Sequence, residues 1–243
     1  MKVIVIIPAA GLGTRMAGSA TGKAPAKQFT ELNGVPVLIH TLRKFAEAPG
    51  ISEIVVAMRK QEAENFSPRL EKERFKKPVR IVEGGGHRQE SVSNALAAIS
   101  AGPDDLVLVH DAVRPFVDRE IIENVVEAAG RHGAAIAAVP AVDTVKQVDR
   151  TADGAVVNAT IPREHVVLVQ TPQGFRFSVI KQAFDEAARD GFVGTDEASV
   201  VERMGHPVAV VMGSPRNMKI TTPADLELAE FYAGQESKKY VAG

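Results

Sequence analysis

Val3-Ile4-Val5-Ile6-Ile7-Pro8-Ala9-Ala10-Gly11-Leu12-Gly13-Thr14-Arg15-Met16 stands near the start of the chain, and a short segment of small and polar residues carries it on to Lys27-Gln28. Five consecutive β-branched residues precede Pro8. Such a run is apolar on both faces, as a central parallel strand buried between two helix layers must be. The loop that follows is rich in Ala and Gly, whose bare backbone lets a ligand approach closely and offers N–H groups to phosphate. Arg15 and Lys27 flank it with positive charge. A buried strand feeding a small-residue, cation-flanked loop is a common construction for a nucleotide-phosphate site. Two familiar phosphate loops do not match. The dinucleotide fingerprint places a small residue where Met16 stands, and the P-loop needs Ser or Thr where Ala24 follows Gly22-Lys23.

Outward from that stretch, strand-like and helix-like patterns alternate. Val35–Ala48 is helical in pattern, with Leu38, Leu42 and Phe45 on one face and Pro49-Gly50 as a stop. Strands are expected at Glu53–Met58, Val79–Val82, Leu106–Val109 and Ala134–Val139. Helices are expected at Gln61–Leu70, Ser91–Ile99 and Arg119–Ala129. This alternation predicts an α/β fold: a Rossmann-like, mainly parallel sheet with helices on both faces. From Val142 to about Arg163 the rhythm breaks. Val145, Val148, Asp153-Gly154 and Val156-Val157 read as a short hairpin with an Asp-Gly turn, too polar for a core layer and therefore projecting. Beyond it come a strand at Val166–Gln170, helices at Ser178–Ala188 and Asp196–Met204, and a strand at Val208–Met212. A last helix opens near Pro223 with Thr222 as N-cap, and the polar tail after Ala233 is expected to fray.

In an open parallel sheet, ligands bind beyond the carboxyl ends of the strands. Several chemically useful groups fall there: Gly11 to Lys27 after the first strand, Gly84 to Ser91 after the third and His110-Asp111 after the fourth. Thr171-Pro172-Gln173 are expected after the strand that follows the hairpin, and Asn217-Met218-Lys219 beyond the last.

The 243 residues suffice for one large α/β domain and fall short of two, so a single domain over 1–243 with an arm at about 142–163 is expected. Net charge is −1, so no global field draws nucleic acid or an anionic membrane; affinity for phosphate has to come from locally placed cations. No cysteine is present, which excludes disulfides, thiolate catalysis and cysteine metal sites. The first apolar run is too short to span a bilayer and reads as a strand rather than a leader, so the cytoplasm is the expected compartment. His40, His87, His110, His132, His165 and His206 show no metal-ligand spacing, so no protein-built metal site is expected.

The motif Pro8-Ala9-Ala10-Gly11-x-Gly13-x-Arg15-Met16 with Lys27-Gln28 resembles nucleotidyltransferases that join a nucleoside monophosphate to a sugar phosphate. The likeness continues through Gly84-Gly85-x-x-Arg88-x-x-Ser91-Val92, Val109-His110-Asp111-Ala112-x-Arg114-Pro115 and Asp143-Thr144-x-Lys146. It runs on through Thr171-Pro172-Gln173, Thr195-Asp196-Glu197-Ala198 and Asn217-x-Lys219. It is closest to the 2-C-methyl-D-erythritol 4-phosphate cytidylyltransferases of the non-mevalonate isoprenoid pathway and spans nearly the whole chain. The resemblance implies CTP and a polyol phosphate as substrates, Mg²⁺ bound mainly through CTP, and a homodimer clasped by the arm. It casts Arg15, Lys27, Arg163 and Lys219 as the catalytic cations. Pro8, Ala9, Ala10, Gly11, Gly13, Gly85, Gly86, Ser91, Asp111 and Ala112 would face the nucleotide. Asp111, Arg114, Thr144, Arg163, Thr171, Thr195 and Lys219 would face the acceptor, with Thr144 and Arg163 reaching in from the neighbouring subunit. Family members often carry an acidic residue where Gly86 stands, so a side-chain contact from that position is lost here. Ribitol 5-phosphate cytidylyltransferases share several of these motifs, but their first loop tends to read Ala-Gly-Gly where this chain has Ala9-Ala10-Gly11. A nicotinamide-dependent oxidoreductase is disfavoured by Met16 and by the absence of an acidic residue after Val56-Ala57-Met58.

Overall fold

In the computed structural model, which describes residues 1–11 and 26–241, the first strand β1 (Val3–Pro8) is an interior strand of a seven-stranded sheet, flanked by two others on one side and four on the other. Its side chains alternate as a pleated strand requires. Val3, Val5 and Ile7 enter one hydrophobic cluster, and Ile4 and Ile6 enter the other. Both faces are covered, which is why no polar residue interrupts the run.

After β1 the described chain resumes with a 3₁₀ turn at Lys27–Phe29 and a miniature hairpin of β2 (Glu31–Leu32) and β3 (Val35–Pro36). The turn between them uses Asn33 and Gly34 with φ of 52° and 74°, the left-handed pair that a tight two-residue hairpin needs. Helix α1 (Val37–Glu47) therefore starts two residues later than its apolar pattern suggests, because Val35 and Pro36 pair with β2. Then come β4 (Glu53–Met58), α2 (Lys60–Lys72), β5 (Val79–Glu83), α3 (Arg88–Ala98), β6 (Leu106–Val109), α4 (Arg119–His132) and β7 (Ala134–Pro140). Asp118 caps α4 by accepting from Ile121 N at 2.8 Å, and Gly133, at φ 86°, ends it. Helices α1, α2 and α4 cover one face of the sheet through Leu38, Leu42, Phe45, Phe66, Ile121 and Val125.

The hairpin interrupts as expected, with β8 (Val145–Thr151) paired antiparallel to β9 (Gly154–Ile161). Two details differ from expectation. The strands are longer than a short hairpin, and the two turn residues are Ala152 and Asp153, with Gly154 already pairing with Thr151. Gly154 at φ 140° takes up the sharp exit from the turn, so Asp-Gly is offset by one residue from its expected place.

The larger correction concerns β10 (Val167–Arg176). It is twice the expected length and runs antiparallel between β6 and β7, so Thr171-Pro172-Gln173 lie inside it rather than after it. The pairing with β7 shifts between Val169 and Gln173, a bulge that re-aims the intervening residues. Because β10 comes in beyond the carboxyl end of β6, with Gln173 opposite Val109, Thr171 still arrives beside His110. Helices α5 (Phe177–Asp190) and α6 (Glu197–Glu202) join α3 on the second face through Ile180, Phe184, Val200 and Val92. β11 (Ala209–Met212) closes one edge, parallel to β7. Helix α7 (Pro223–Val241) packs Ala229 and Ala233 with Leu32, Val37 and Phe116. Thr222 does cap it, accepting from Asp225 N at 3.3 Å while Asp225 Oδ2 accepts from Thr222 N at 2.7 Å. The helix runs to Val241.

The sheet order is β11-β7-β10-β6-β1-β4-β5. The chain winds outward from β1 to β4 and β5, then returns through α3 to β6 on the other side of β1. That reversal opens a crevice beyond the carboxyl ends of β1 and β6, where α/β sheets bind their ligands.

Candidate active site

A cleft of about 280 Å³ fills that crevice. Pro8–Gly11 line it from the end of β1, Asp111 and Ala112 from the end of β6, Ser91 and Arg88 from α3, and Lys27, Lys219 and Thr221 from the connecting segments. Among the described residues, three cations and one carboxylate thus face the same space, a setting suited to a polyanion.

Asp111 is the hub. It is 4% exposed, and its Oδ1 accepts from Arg88 NH1 at 2.5 Å while Oδ2 takes Arg114 Nε at 3.0 Å and Lys219 Nζ at 3.0 Å. Burial by itself would raise this carboxyl; the charges of Arg88, Lys219 and Arg114 outweigh it and hold Asp111 far below the usual carboxylate range. No helix starts at Asp111, so its carboxylate caps nothing and is held by side-chain cations alone. Arg114 also donates through NH1 to Asn217 O at 2.7 Å, which fixes the Asn217–Lys219 segment over the cleft. Asn217 is fully buried and donates Nδ2 to Gln170 Oε1 and Thr171 O.

His110 serves as scaffold. Its Nε2 lies 3.1 Å from Arg114 O, which only accepts, so the proton sits on Nε2 and Nδ1 accepts from Thr171 Oγ1 at 3.1 Å. Thr171 Oγ1 in turn accepts from Asp111 N at 3.0 Å. The ring is fully buried with its edge toward Phe45, and burial pushes the imidazole down to about 3. His110 is therefore neutral, and the Thr171 hydroxyl is committed in both directions.

Lys27 is 7% exposed and donates to Thr221 O at 2.7 Å. Gln28 Nε2 donates to Ala9 O at 2.6 Å, tying the 3₁₀ turn back to the end of β1. Thr221 is itself held by Asp225, whose Oδ2 accepts from its N and Oγ1 at 2.8 Å each. Lys27, one of the cations the resemblance names, is thus tethered to the segment that leads into α7.

The glycine turn after β5 lies alongside. Gly85 N donates to Ser91 Oγ at 3.0 Å, which donates to His87 O, and Gly86 N donates to Glu90 Oε2 at 2.7 Å. Ser91 shapes this turn as well as lining the cleft. Gly84 is needed for close approach: a Cβ there would stand 2.6 Å from the Cβ of Ala10. Position 86 has no side chain, and the acidic group beside its backbone is Glu90 from the next turn.

Not every expected residue meets at the cleft. Thr195 is exposed at the entry to α6, with its N–H bonded to Ser199 Oγ. Thr144 is exposed at the base of the arm. Arg163 is exposed there too, donating to Val142 O at 2.8 Å. Gly13 and Arg15 lie outside the described residues. Conversely, sequence reasoning gives Arg88 and Glu197 no role of their own. Arg88 makes a two-pronged pair with buried Glu197, Nε to Oε1 at 3.1 Å and NH2 to Oε2 at 2.9 Å, while reaching Asp111 with its third nitrogen. Burial would lower this guanidinium, but Glu197 and Asp111 together raise it, so Arg88 stays charged. Both residues stand within quoted motifs; a pairing across 109 positions leaves no local signal.

Among the described residues no group of three or more His, Cys, Asp and Glu side chains is placed to hold a metal ion, and no helix is long and apolar enough to cross a membrane. A family model described as IspD: 2-C-methyl-D-erythritol 4-phosphate cytidylyltransferase matches residues 3–235. The protein of that name from Acidobacterium capsulatum is 58% identical over 240 residues, covering 98% of this chain and 100% of its own. Its namesake from Solibacter usitatus is 52% identical over 242 residues, 98% of each chain. The crystal structure of the Francisella tularensis protein of the same name superposes with a TM-score of 0.78 at 38% identity, covering 95% of this chain and 99% of that one. With a model matched over nearly its full length and relatives this similar, the chain belongs to the 2-C-methyl-D-erythritol 4-phosphate cytidylyltransferase family.

Proposed function

We propose that this protein transfers CMP from CTP to 2-C-methyl-D-erythritol 4-phosphate, giving 4-diphosphocytidyl-2-C-methyl-D-erythritol and pyrophosphate, a step in isoprenoid precursor synthesis. The observation that carries the reading is the cleft at the switch point, lined by Lys27, Arg88 and Lys219 around Asp111, in a chain of this family. An oxygen of the acceptor phosphate attacks the α-phosphorus in line. The bond from that phosphorus to the α,β-bridging oxygen breaks, and pyrophosphate leaves with the electron pair. A phosphate monoester is largely dianionic at neutral pH, so no general base is required, which agrees with a neutral, fully bonded His110.

What the protein supplies is placement and charge. Lys27 and Arg15 would stabilise the negative charge that grows at the α-phosphorus, worth a factor of about 10²–10³ per donor. Pro8–Gly11, Gly13, Ala112 and the turn at Gly85, Gly86 and Ser91 would frame the nucleotide. Lys219, Arg114 and Asp111 would place the acceptor, with Thr171 acting through the Asp111 N–H it accepts from and Thr195 at the rim. Mg²⁺, carried on the triphosphate, would neutralise phosphate charge. The donor set fits that arrangement, because among the described residues Asp111 is the carboxylate lining the cleft and both its oxygens already face cations.

The arm would complete the site of a second copy. Val148, Val156 and Val157 on the hairpin are exposed, as are Val167, Leu168 and Val169 where β10 leaves its base, an apolar surface suited to an isologous dimer. Thr144 and Arg163 at that base would then reach the partner's acceptor phosphate, Arg163 by a bidentate fork. The cytoplasm is the compartment such a reaction implies. The test is direct: purified protein with CTP and Mg²⁺ is offered 2-C-methyl-D-erythritol 4-phosphate and ribitol 5-phosphate in turn, and pyrophosphate is measured. Release with the first and not the second is expected; release with ribitol 5-phosphate alone would replace this reading with its rival.

A further inference from the structure

From the way Glu197 holds Arg88, we infer that Glu197 is a positioning residue for the acceptor side of the reaction, acting through Arg88 on Asp111. Glu197 is 2% exposed, a burial that an ionised carboxylate tolerates only with a close partner. Its partner is the Arg88 fork, with Nε and NH2 each on a separate oxygen, which fixes the guanidinium plane as well as its position. That plane aims NH1 at Asp111 Oδ1 at 2.5 Å. With Oδ1 so engaged, the Asp111 carboxylate is turned to present Oδ2 to Arg114 and Lys219. Arg88 thus ties together two segments that the proposed reaction sets on the acceptor side: Asp111 at the end of β6, and the Thr195–Ala198 entry to α6.

The entry itself is rigidly held. Gln173 on β10 accepts from Ala198 N at 2.9 Å and donates to Asp196 Oδ2 at 2.7 Å. Asp196 closes a capping box with Ser199. Glu197 is gripped between these contacts, so its carboxylate has little freedom other than to face Arg88. Built only to stabilise the fold, an apolar pair of the same volume would serve as well or better, since buried ion pairs seldom outperform hydrophobic replacements. A charged relay that ends on the residue holding Lys219 is explained by orientation.

The inference rests on the proposed reaction, and steady-state kinetics with each substrate varied in turn separate the two. For Glu197→Gln, which keeps the volume and removes the charge, the KM for the polyol phosphate should rise about tenfold or more while the KM for CTP stays within about twofold. A merely structural role would lower the fraction of active enzyme, reducing kcat with both KM values unchanged. Should Glu197→Gln accumulate poorly, Arg88→Lys supplies the same test: it keeps a charge but loses the fork, and the same acceptor-selective rise in KM is expected. Wild-type enzyme that transfers CMP, together with variants whose KM for the acceptor is unchanged, would overturn the inference alone. Wild-type enzyme that transfers no CMP to any polyol phosphate would overturn the reaction and the inference with it.

Discussion

Replacing His110 with asparagine should flatten the acid limb of this protein's stability curve. In the fold, the His110 imidazole is pushed down to about 3, chiefly by burial, from an ordinary value of 6.5. Both of its nitrogens are used in their neutral form, Nε2 donating to Arg114 O and Nδ1 accepting from Thr171. The unfolded chain takes up a proton as pH falls through 6.5, and the folded chain does not. The contribution is therefore complete above that value and is lost as pH falls toward the folded one. At about 1.4 kcal/mol per pH unit, the loss between roughly pH 8 and pH 5 comes to about 2 kcal/mol. The shorter amide side chain could accept from Thr171 through its oxygen but cannot titrate. It would leave Arg114 O unpaired and a gap beside Phe45, so His110→Asn starts out less stable. Urea unfolding at the two pH values, at one protein concentration, measures the gap between wild type and variant, and groups common to both cancel. The gap should narrow by about 2 kcal/mol on acidification; a gap constant to within about 0.5 kcal/mol would refute a neutral, buried His110.

Lys27→Ala should lower kcat by about a hundredfold or more with a smaller change in KM, as expected for a cation used in the transition state; turnover within a few fold of wild type would remove Lys27 from that role. Gly84→Ala should destabilise by about 1–3 kcal/mol, because the new methyl meets the Cβ of Ala10 and the backbone of β4 with nowhere to go, and a urea midpoint equal to wild type would show that the turn yields. On the proposed arm-clasped dimer, Arg163→Ala and Lys27→Ala should each be nearly inactive alone. Mixed in equal amounts with subunit exchange, they should recover about a quarter of wild-type activity, from half the dimers with one intact site. No recovery despite demonstrated exchange would place Arg163 in its own subunit's chemistry.

What the sequence reveals about this fold depends on whether the signal is local. Val3–Ile7 read as a central strand because burial on both faces leaves no room for a polar residue, and Thr222 acts as the expected cap on a partner only three residues on. Asn33-Gly34 carries an equally local hairpin signal, masked by the longer helical pattern of Val35–Ala48. The direction of β10 is another matter. Alternation cannot say whether a strand runs parallel or antiparallel to its neighbours, so it puts Thr171–Gln173 past a strand end instead of at a bulge inside it. In the site, motif residues such as Asp111, Lys27 and Lys219 can be singled out and do meet in one cleft. Their partners cannot be foreseen: Arg88 finds Glu197, and Arg114 finds Asn217, only after more than a hundred residues of chain have folded between them. Thr144 and Arg163 gain a place in the chemistry only if a second copy brings them to the cleft.

The central claim is that an oxygen of the acceptor's phosphate becomes the bridge to CMP. Phosphorus NMR of the product made from 2-C-methyl-D-erythritol 4-phosphate labelled with ¹⁸O on its phosphate tests it most directly. The account predicts a pair of coupled diphosphate resonances, with label in the bridging position and unlabelled pyrophosphate released. A product without phosphorus–phosphorus coupling, or CTP cleaved to CMP with the labelled phosphate left intact, would contradict it.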